Sequence, residues 1–270
     1  MQNILILGST GLLGNSVTKY FLSNSNYNVF TTYRKTSMAF PGNAIKYDVL
    51  SDSINELPVN FDFVINCIGI IKPFIEQDIE ASIYINSLFP WKLSDWCQKN
   101  NIKLIHITTD CVYSGLKGKY IESDLHDALD IYGKTKSLGE CKNNAMILRT
   151  SIIGEEIHKD ASLIAWTKKQ QGKSVSGFVT HLWNGITTKE YARICDVIIK
   201  DNIYKYGLFH IFAQNDVSKY EMLNMFNEKY NLNMNIEKSY PSAIDRTLRT
   251  EFELCSLLNI PTVQQMIKEI

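Results

Sequence analysis

The chain has 270 residues, room for about two domains or one large α/β domain with an appendage. Hydrophobic residues make up 45% and charged residues 21%, enough apolar material to bury a full core. Formal net charge is zero and no apolar run is long enough to cross a bilayer, so neither a nucleic acid nor a membrane is an expected partner.

Six scattered cysteines (Cys67, Cys97, Cys111, Cys141, Cys195, Cys255) form no CxxC pair, and the five histidines lack zinc-ligand spacing. Reduced thiols, no metal and a cytoplasmic location are expected. Met1-Gln2-Asn3 leads directly into a strand without a basic n-region, which speaks against a signal peptide.

In chain order, the first half alternates strand and helix. Ile4 to Leu7 is a short apolar run, followed at once by Gly8-Ser9-Thr10-Gly11-Leu12-Leu13-Gly14. Val17, Tyr20 and Phe21 continue as a helix, and Tyr27 to Tyr33 as a second strand. Strand, glycine-rich turn and helix N-terminus together can hold a pyrophosphate on backbone N–H groups. The spacing is GxxGxxG, a departure from the GxGxxG of the common dinucleotide fingerprint.

A carboxylate at the end of the second strand would bind a ribose 2′-hydroxyl and indicate NAD. Thr32-Tyr33-Arg34-Lys35 stands there instead. Arg34 and Lys35 suit a 2′-phosphate, so NADP(H) is the preferred cofactor and NAD(H) the alternative.

Ile45 to Val49 reads as a third strand, with Asp48 placed to reach an adenine edge. Phe61 to Ile65 is a fourth, ending in Asn66-Cys67-Ile68-Gly69, a small-residue turn that lets backbone approach a cofactor. Ala81 to Asn100 has helical periodicity, with Asn86 as a polar member of its apolar stripe. Ile102 to Ile107 is a fifth strand, suited to a parallel sheet buried on both faces; His106 on it reads as a core histidine.

Tyr132 and Lys136 lie four positions apart, one helical turn on one face. A nearby ammonium favours the phenolate and lowers the tyrosine's pKa, so its hydroxyl can exchange a proton at working pH.

Four segments occur in order: GSTGLLG, ITTDCVYSG (Ile107 to Gly115), YGKTKSLGE (Tyr132 to Glu140) and LRTSIIG (Leu148 to Gly154). With them the chain resembles the extended short-chain dehydrogenase/reductases, and within these the dTDP-4-dehydrorhamnose reductase group. The resemblance covers the first 154 residues and continues through His181 to Thr188. It implies a doubly wound parallel α/β (Rossmann) fold: an NADP-binding domain over 1–154, with returns near 178–213, and a smaller, mainly substrate-binding region over 155–270.

The resemblance also implies roles. Gly8, Thr10, Gly11, Leu12, Leu13 and Gly14 hold the cofactor, joined by Asp48, Val49, Cys67, Ile68, Gly69 and Asn86. Thr109 hydrogen-bonds the substrate carbonyl, with Thr108 as the fallback. Tyr132 donates the proton, and Lys136 holds the nicotinamide ribose and tunes the tyrosine. Arg149, Thr150 and Ser151 pass near the nicotinamide, while Asp110 and Tyr113 lie beside the substrate. Asp130 stands where relatives often carry a small or amide residue. A homodimer is the implied assembly.

Beyond Gly154 the pattern loosens. Ala161 to Gln171 reads as a helix stopped near Gly172; Thr187-Thr188-Lys189-Glu190 and Ser218-Lys219-Tyr220-Glu221 are capping boxes opening two more; Gly207 to Ala213 is a strand. Trp183-Asn184-Gly185 offers an aromatic plane and an amide to a sugar or base. Arg246, where the resemblance implies a nucleotide diphosphate contact, either pairs with phosphate or is a surface cation, as does Arg249.

The expected activity is NADPH-dependent reduction of a 4-keto-6-deoxy sugar nucleotide for deoxysugar and surface polysaccharide synthesis. The alternatives are a sugar-nucleotide epimerase on the same scaffold and a non-catalytic NADP-binding regulatory subunit. A dehydratase ranks low because Asp110-Cys111 supplies one carboxylate where a pair is needed.

Overall fold

Runs such as Ile4–Leu7 and Met146–Leu148 are apolar on both faces and wholly buried, as a sheet covered by helices on both sides demands. The computed structural model describes residues 1–35, 42–156 and 162–270. In chain order these form β1 (Gln2–Leu7), α1 (Leu12–Leu22), β2 (Tyr27–Tyr33), β3 (Asn43–Lys46), β4 (Phe63–Asn66), α2 (Ile79–Ile83), a π-turn (Tyr84–Leu88), α3 (Phe89–Lys99) and β5 (Lys103–Thr109). Next come α4 (Ile131–Leu138), β6 (Met146–Thr150), β7 (Ile152–Ile153), α5 (Leu163–Lys168), β8 (Ser174–Phe178), β9 (His181–Trp183), β10 (Ile186–Thr187) and α6 (Thr188–Lys200). The chain closes with β11 (Gly207–His210), β12 (Val217–Ser218), α7 (Lys219–Tyr230), β13 (Asn235–Ser239), β14 (Ile244–Asp245), α8 (Leu254–Leu258) and α9 (Val263–Lys268).

These elements divide into two compact units. The first comprises Met1–Thr108, Asp130–Arg149 and Tyr191–Phe209; the second comprises Thr109–Leu129, Thr150–Glu190 and His210–Ile270. The first is built on a seven-stranded sheet in the order β3-β2-β1-β4-β5-β6-β11, the 3-2-1-4-5-6 order of dinucleotide-binding folds plus one strand. Strands β3, β2, β1, β4 and β5 pair in parallel, with Ile4 opposite Val29 on one side and Phe63 on the other. Its core runs from Leu5 and Leu7 through Val64, Phe89 and Leu93 to Ile147. Each such fully buried side chain contributes about 1.5–3 kcal/mol.

The second unit is held by short pairings. β8 runs parallel to β13, β9 lies between antiparallel β12 and parallel β14, and β7 pairs with β10. A small core of Val112, Tyr113, Tyr120 and Leu248 anchors the 109–129 segment, where the Tyr113 and Tyr120 rings stack at 4.1 Å.

Several elements differ from their expected bounds, with β4 beginning at Phe63 rather than Phe61 and β5 running to Thr109 rather than Ile107. β3 ends at Lys46, not Val49, because the Asp48 carboxylate accepts from Leu50 N–H and starts a turn. The expected helix over 81–100 is two α segments joined by the π-turn. The strand expected to reach Ala213 stops at His210. Ala161, the expected start of a helix, lies outside the described residues, and α5 opens at Leu163 on the Ser162 cap.

Candidate active site

In the first unit, Gly8 adopts φ +76°, the left-handed region that glycine enters without strain. Its N–H donates to Thr32 Oγ1 at 3.1 Å and Ser9 Oγ donates to the Thr32 carbonyl at 2.6 Å, joining the turn to β2. A Cβ on Gly14 would lie 2.1 Å from the Gly8 carbonyl oxygen, so only glycine lets α1 rise this close to its own entry turn. Gly11 caps α1 without any side-chain bond. The result is an open, positively polarised helix start that fits a pyrophosphate. Arg34 and Lys35 follow β2 and are exposed.

The neighbouring wall is the 66–70 segment, pinned by two amides. Asn66 Oδ1 accepts from Ile68 N–H at 3.1 Å, while its Nδ2 donates to His106 Nδ1 at 3.1 Å. That fixes His106 as a neutral ring, and burial holds its pKa well below the usual value, helped by the nearby Lys136 charge. Asn86, inside the π-turn, accepts from Ile70 N–H and donates back to the Ile70 carbonyl, both at 2.9 Å. A Cβ on Gly69 would stand 3.5 Å from Asn86 Oδ1 and 3.8 Å from Lys136 Nζ, so these three groups share one small space.

Helix α4 carries the tyrosine and lysine. Asp130 is its N-cap, accepting from Gly133 N–H at 2.9 Å and pairing with Lys72 Nζ at 2.9 Å on the surface. Tyr132 sits in the first turn, where the helix dipole favours an anion, and Lys136 in the last, where it favours a cation. Asn86 Nδ2 also donates to Thr135 Oγ1 at 3.3 Å, and Thr135 Oγ1 donates to the Tyr132 carbonyl at 2.9 Å, tying the π-turn to this helix. Lys136 Nζ donates to the Ile107 carbonyl at 3.2 Å. Burial lowers its pKa to about 8, opposed chiefly by the Glu140 carboxylate. Glu140 is itself locked to buried Arg149 by a two-pronged ion pair, Nε to Oε1 at 3.0 Å and Nη2 to Oε2 at 2.5 Å.

In the second unit, Thr109 caps a 3-10 turn over Asp110–Val112: its Oγ1 accepts from Cys111 N–H at 3.1 Å and lies 3.1 Å from Asp110 Oδ1. Asp110 is buried, and loss of solvent raises its pKa; Arg246, the Thr109 hydroxyl and Lys219 oppose the rise. Arg246 donates from Nε to the Tyr113 carbonyl at 2.8 Å and from Nη2 to the Ser114 carbonyl at 2.9 Å. Lys219 Nζ stands 5.5 Å from the centre of the buried Trp183 ring, and burial lowers its pKa.

Residues 1–253 match the family model described as the RmlD substrate binding domain. This protein belongs to that family. It is 26% identical over 247 residues to methionine adenosyltransferase 2 subunit beta of Mus musculus, covering 86% of this chain and 73% of the relative. It is equally 26% identical over 245 residues to dTDP-4-dehydrorhamnose reductase of Aggregatibacter actinomycetemcomitans, covering 82% and 76%. Among solved structures, dTDP-4-dehydrorhamnose reductase from Bacillus anthracis in complex with NADP superposes with TM-score 0.76 at 18% identity, over 100% of this chain and 98% of that one. The fold is therefore the Rossmann fold of this family.

In the RmlD-family chain, the expected site residues separate by what their side chains do. Gly8, Gly14, Gly69, Asn86 and Lys136 come together as one wall of the first unit. Thr108, the fallback for Thr109, is buried and its hydroxyl has no partner among the described residues. Tyr113 is fully buried and donates to the Ile121 carbonyl at 3.0 Å. Asn184 clasps Leu248, accepting from its N–H at 2.9 Å and donating to its carbonyl at 3.0 Å, so its amide holds backbone. Arg249 is a bidentate partner of Asp216. Asp48 Oδ1 accepts from Leu50 N–H within its own turn, and Val49 is buried in the core.

Residues that sequence reasoning left without a functional role are Asn66, which holds the cofactor-side turn, and Lys219, met only as part of a capping box. Asn66 carried a signal, as the last residue of an apolar strand. Lys219 carried none, because its neighbours Asp110 and Trp183 are remote in sequence. No group of three or more potential metal-ligating side chains occurs among the described residues, and no helix among them is long and apolar enough to cross a membrane.

Proposed function

We propose that this protein is an NADPH-dependent reductase of a 4-keto-6-deoxy sugar nucleotide, serving deoxysugar synthesis for surface polysaccharide. The observation that carries the reading is Tyr132 and Lys136 on α4, with the lysine buried beside Gly69 and Asn86 and tuned to about pH 8. When bound, NADPH supplies a hydride to the ketone carbon. Tyr132 gives its phenolic proton to the oxygen on which negative charge develops, and the Lys136 ammonium steadies the phenolate left behind. Thr109 hydrogen-bonds the same oxygen. Arg34 and Lys35, with no carboxylate beside them in the sequence, receive the 2′-phosphate. Trp183 and Arg246 serve the sugar-nucleotide substrate, and the proposed domain roles follow: cofactor on 1–154, substrate mainly on 155–270.

The likeness to methionine adenosyltransferase 2 subunit beta favours a second reading, a cofactor-binding subunit without turnover. NADPH oxidation with a panel of 4-keto-6-deoxy sugar nucleotides separates the two. The reductase reading expects turnover by the native protein and a loss of at least about a hundredfold in Tyr132→Phe, the size of one acid–base contribution. Full activity in Tyr132→Phe would sink the mechanism. NADPH binding with silence across the panel would favour the subunit.

A further inference from the structure

Thr109 has one hydroxyl proton and two lone pairs. One lone pair is occupied by Cys111 N–H at 3.1 Å, which leaves one donor and one acceptor site on Oγ1. Asp110 Oδ1 lies 3.1 Å away. An ionised carboxylate only accepts, so it takes the one proton Thr109 owns. Thr109 then offers a ketone oxygen nothing but a lone pair. A neutral carboxylic acid reverses the bond: its O–H fills the free lone pair on Thr109, and the Thr109 proton is released to point elsewhere.

We propose that Asp110 is a positioning residue that acts through Thr109, which can donate to the substrate carbonyl only while Asp110 carries its proton. This rests on the reductase reading above. The surroundings favour the neutral acid more than water does at the surface. Asp110 is 6% exposed, and burial favours the neutral form. The groups acting on it are Arg246 after β14, Lys219 at the start of α7, and Thr109 and Cys111 on its own turn. The two cations oppose burial without cancelling it, and the Asp110 carboxyl is left above the ordinary carboxylate value near 3.8.

Two readouts on the full chain test this. The first is infrared titration of the Asp110 carboxylic-acid C=O band, identified by its loss in Asp110→Asn. The band should persist above the ordinary carboxylate range and shift in Thr109→Val, which removes the acceptor of its O–H. The second is kcat/KM for NADPH-dependent ketosugar reduction against pH. The native protein should step down about a hundredfold, the worth of one oxyanion donor, at the pH where the band disappears. Asp110→Asn, whose amide N–H fills the same lone pair at every pH, should lose the step. Thr109→Val should sit on the lower plateau throughout.

A band absent at every pH, a band indifferent to Thr109→Val, or a step that survives in Asp110→Asn would each overturn the proposal. A native protein that reduces no ketosugar would instead sink the reductase reading. In that case the infrared band and its response to Thr109→Val still decide whether Asp110 and Thr109 share the proton.

Discussion

Lys136 is only 6% exposed, and the backbone carbonyl it reaches among the described residues, that of Ile107, replaces little of the water an ammonium loses on burial. Its pKa falls from 10.5 to about 8, so the charge that the proposed mechanism uses to tune Tyr132 is present below that pH and fades above it. Reductase kcat/KM should therefore decline above about pH 8, and a pH profile checks it. The linkage sign follows. A folded-state pKa below the ordinary value contributes stability above pH 10.5 that is lost as pH falls to about 8. At neutral pH, Lys136→Met should thus raise stability by on the order of 1–3 kcal/mol in urea unfolding while abolishing turnover.

Asn184 gives a contrasting case. Removing its amide in Asn184→Ala orphans the buried N–H and carbonyl of Leu248, a cost of about 2–4 kcal/mol with little change in KM. A large KM change at unaltered stability would return Asn184 to the substrate. Asn86 and Asn184 looked alike in the sequence as amides amid apolar residues. The structure gives them the same device, an amide clasping one backbone residue, but Leu248 is 64 positions from Asn184, and no local pattern could have paired them.

At the scale of elements, the π-turn over Tyr84–Leu88 explains how one helix stripe both packs and serves the site. One extra residue in the turn rotates the residues beyond it out of α-helical phase, so Asn86 can reach Ile70 and Thr135 while Phe89 and Leu93 remain in the core. Hydrophobic periodicity made the helix legible and could not show the insertion, because the apolar positions on either side still fit a helical repeat. The Asn86 carbonyl, projecting from that turn, is where Gly139 caps α4: a Cβ there would lie 2.0 Å from the carbonyl oxygen. Gly139→Ala must push α4 off the π-turn. It should cost about 1–3 kcal/mol of stability and, by displacing Tyr132 and Lys136, lower kcat more than it raises KM. Stability and steady-state kinetics on one variant check both. An alanine that leaves kcat untouched would show that the close approach serves packing alone.

For the whole molecule, the first unit was the more legible. Its inner strands β1, β4 and β6 carry buried apolar runs, its first turn carries glycine, and sequence neighbours are close to being spatial neighbours through parallel crossovers. The second unit resisted reading because its strands are two to five residues long and pair across long separations, as β8 and β13 do between Ser174 and Asn235. Its segment 109–129 is drawn from between β5 and α4, a division that composition does not mark.

The proposed cofactor preference rests on residues of the first unit alone, and so it can be tested without any substrate. Arg34 and Lys35 are exposed at the end of β2, where under the proposed reading their charges meet a bound 2′-phosphate and add little to the fold. A ligand at a hundred times its Kd stabilises a protein by about 2.7 kcal/mol, and each kcal/mol moves Tm by about 2–4 °C at this chain size. At equal concentrations NADPH should therefore raise Tm several degrees more than NADH. Arg34→Ala with Lys35→Ala should erase the difference by weakening NADPH and leaving NADH unchanged, since only the 2′-phosphate separates the two ligands. Equal shifts by both dinucleotides in the native protein would mean that neither cation meets the ribose, and the NADP assignment would fall while the pyrophosphate cradle at Gly8 and Gly11 stood.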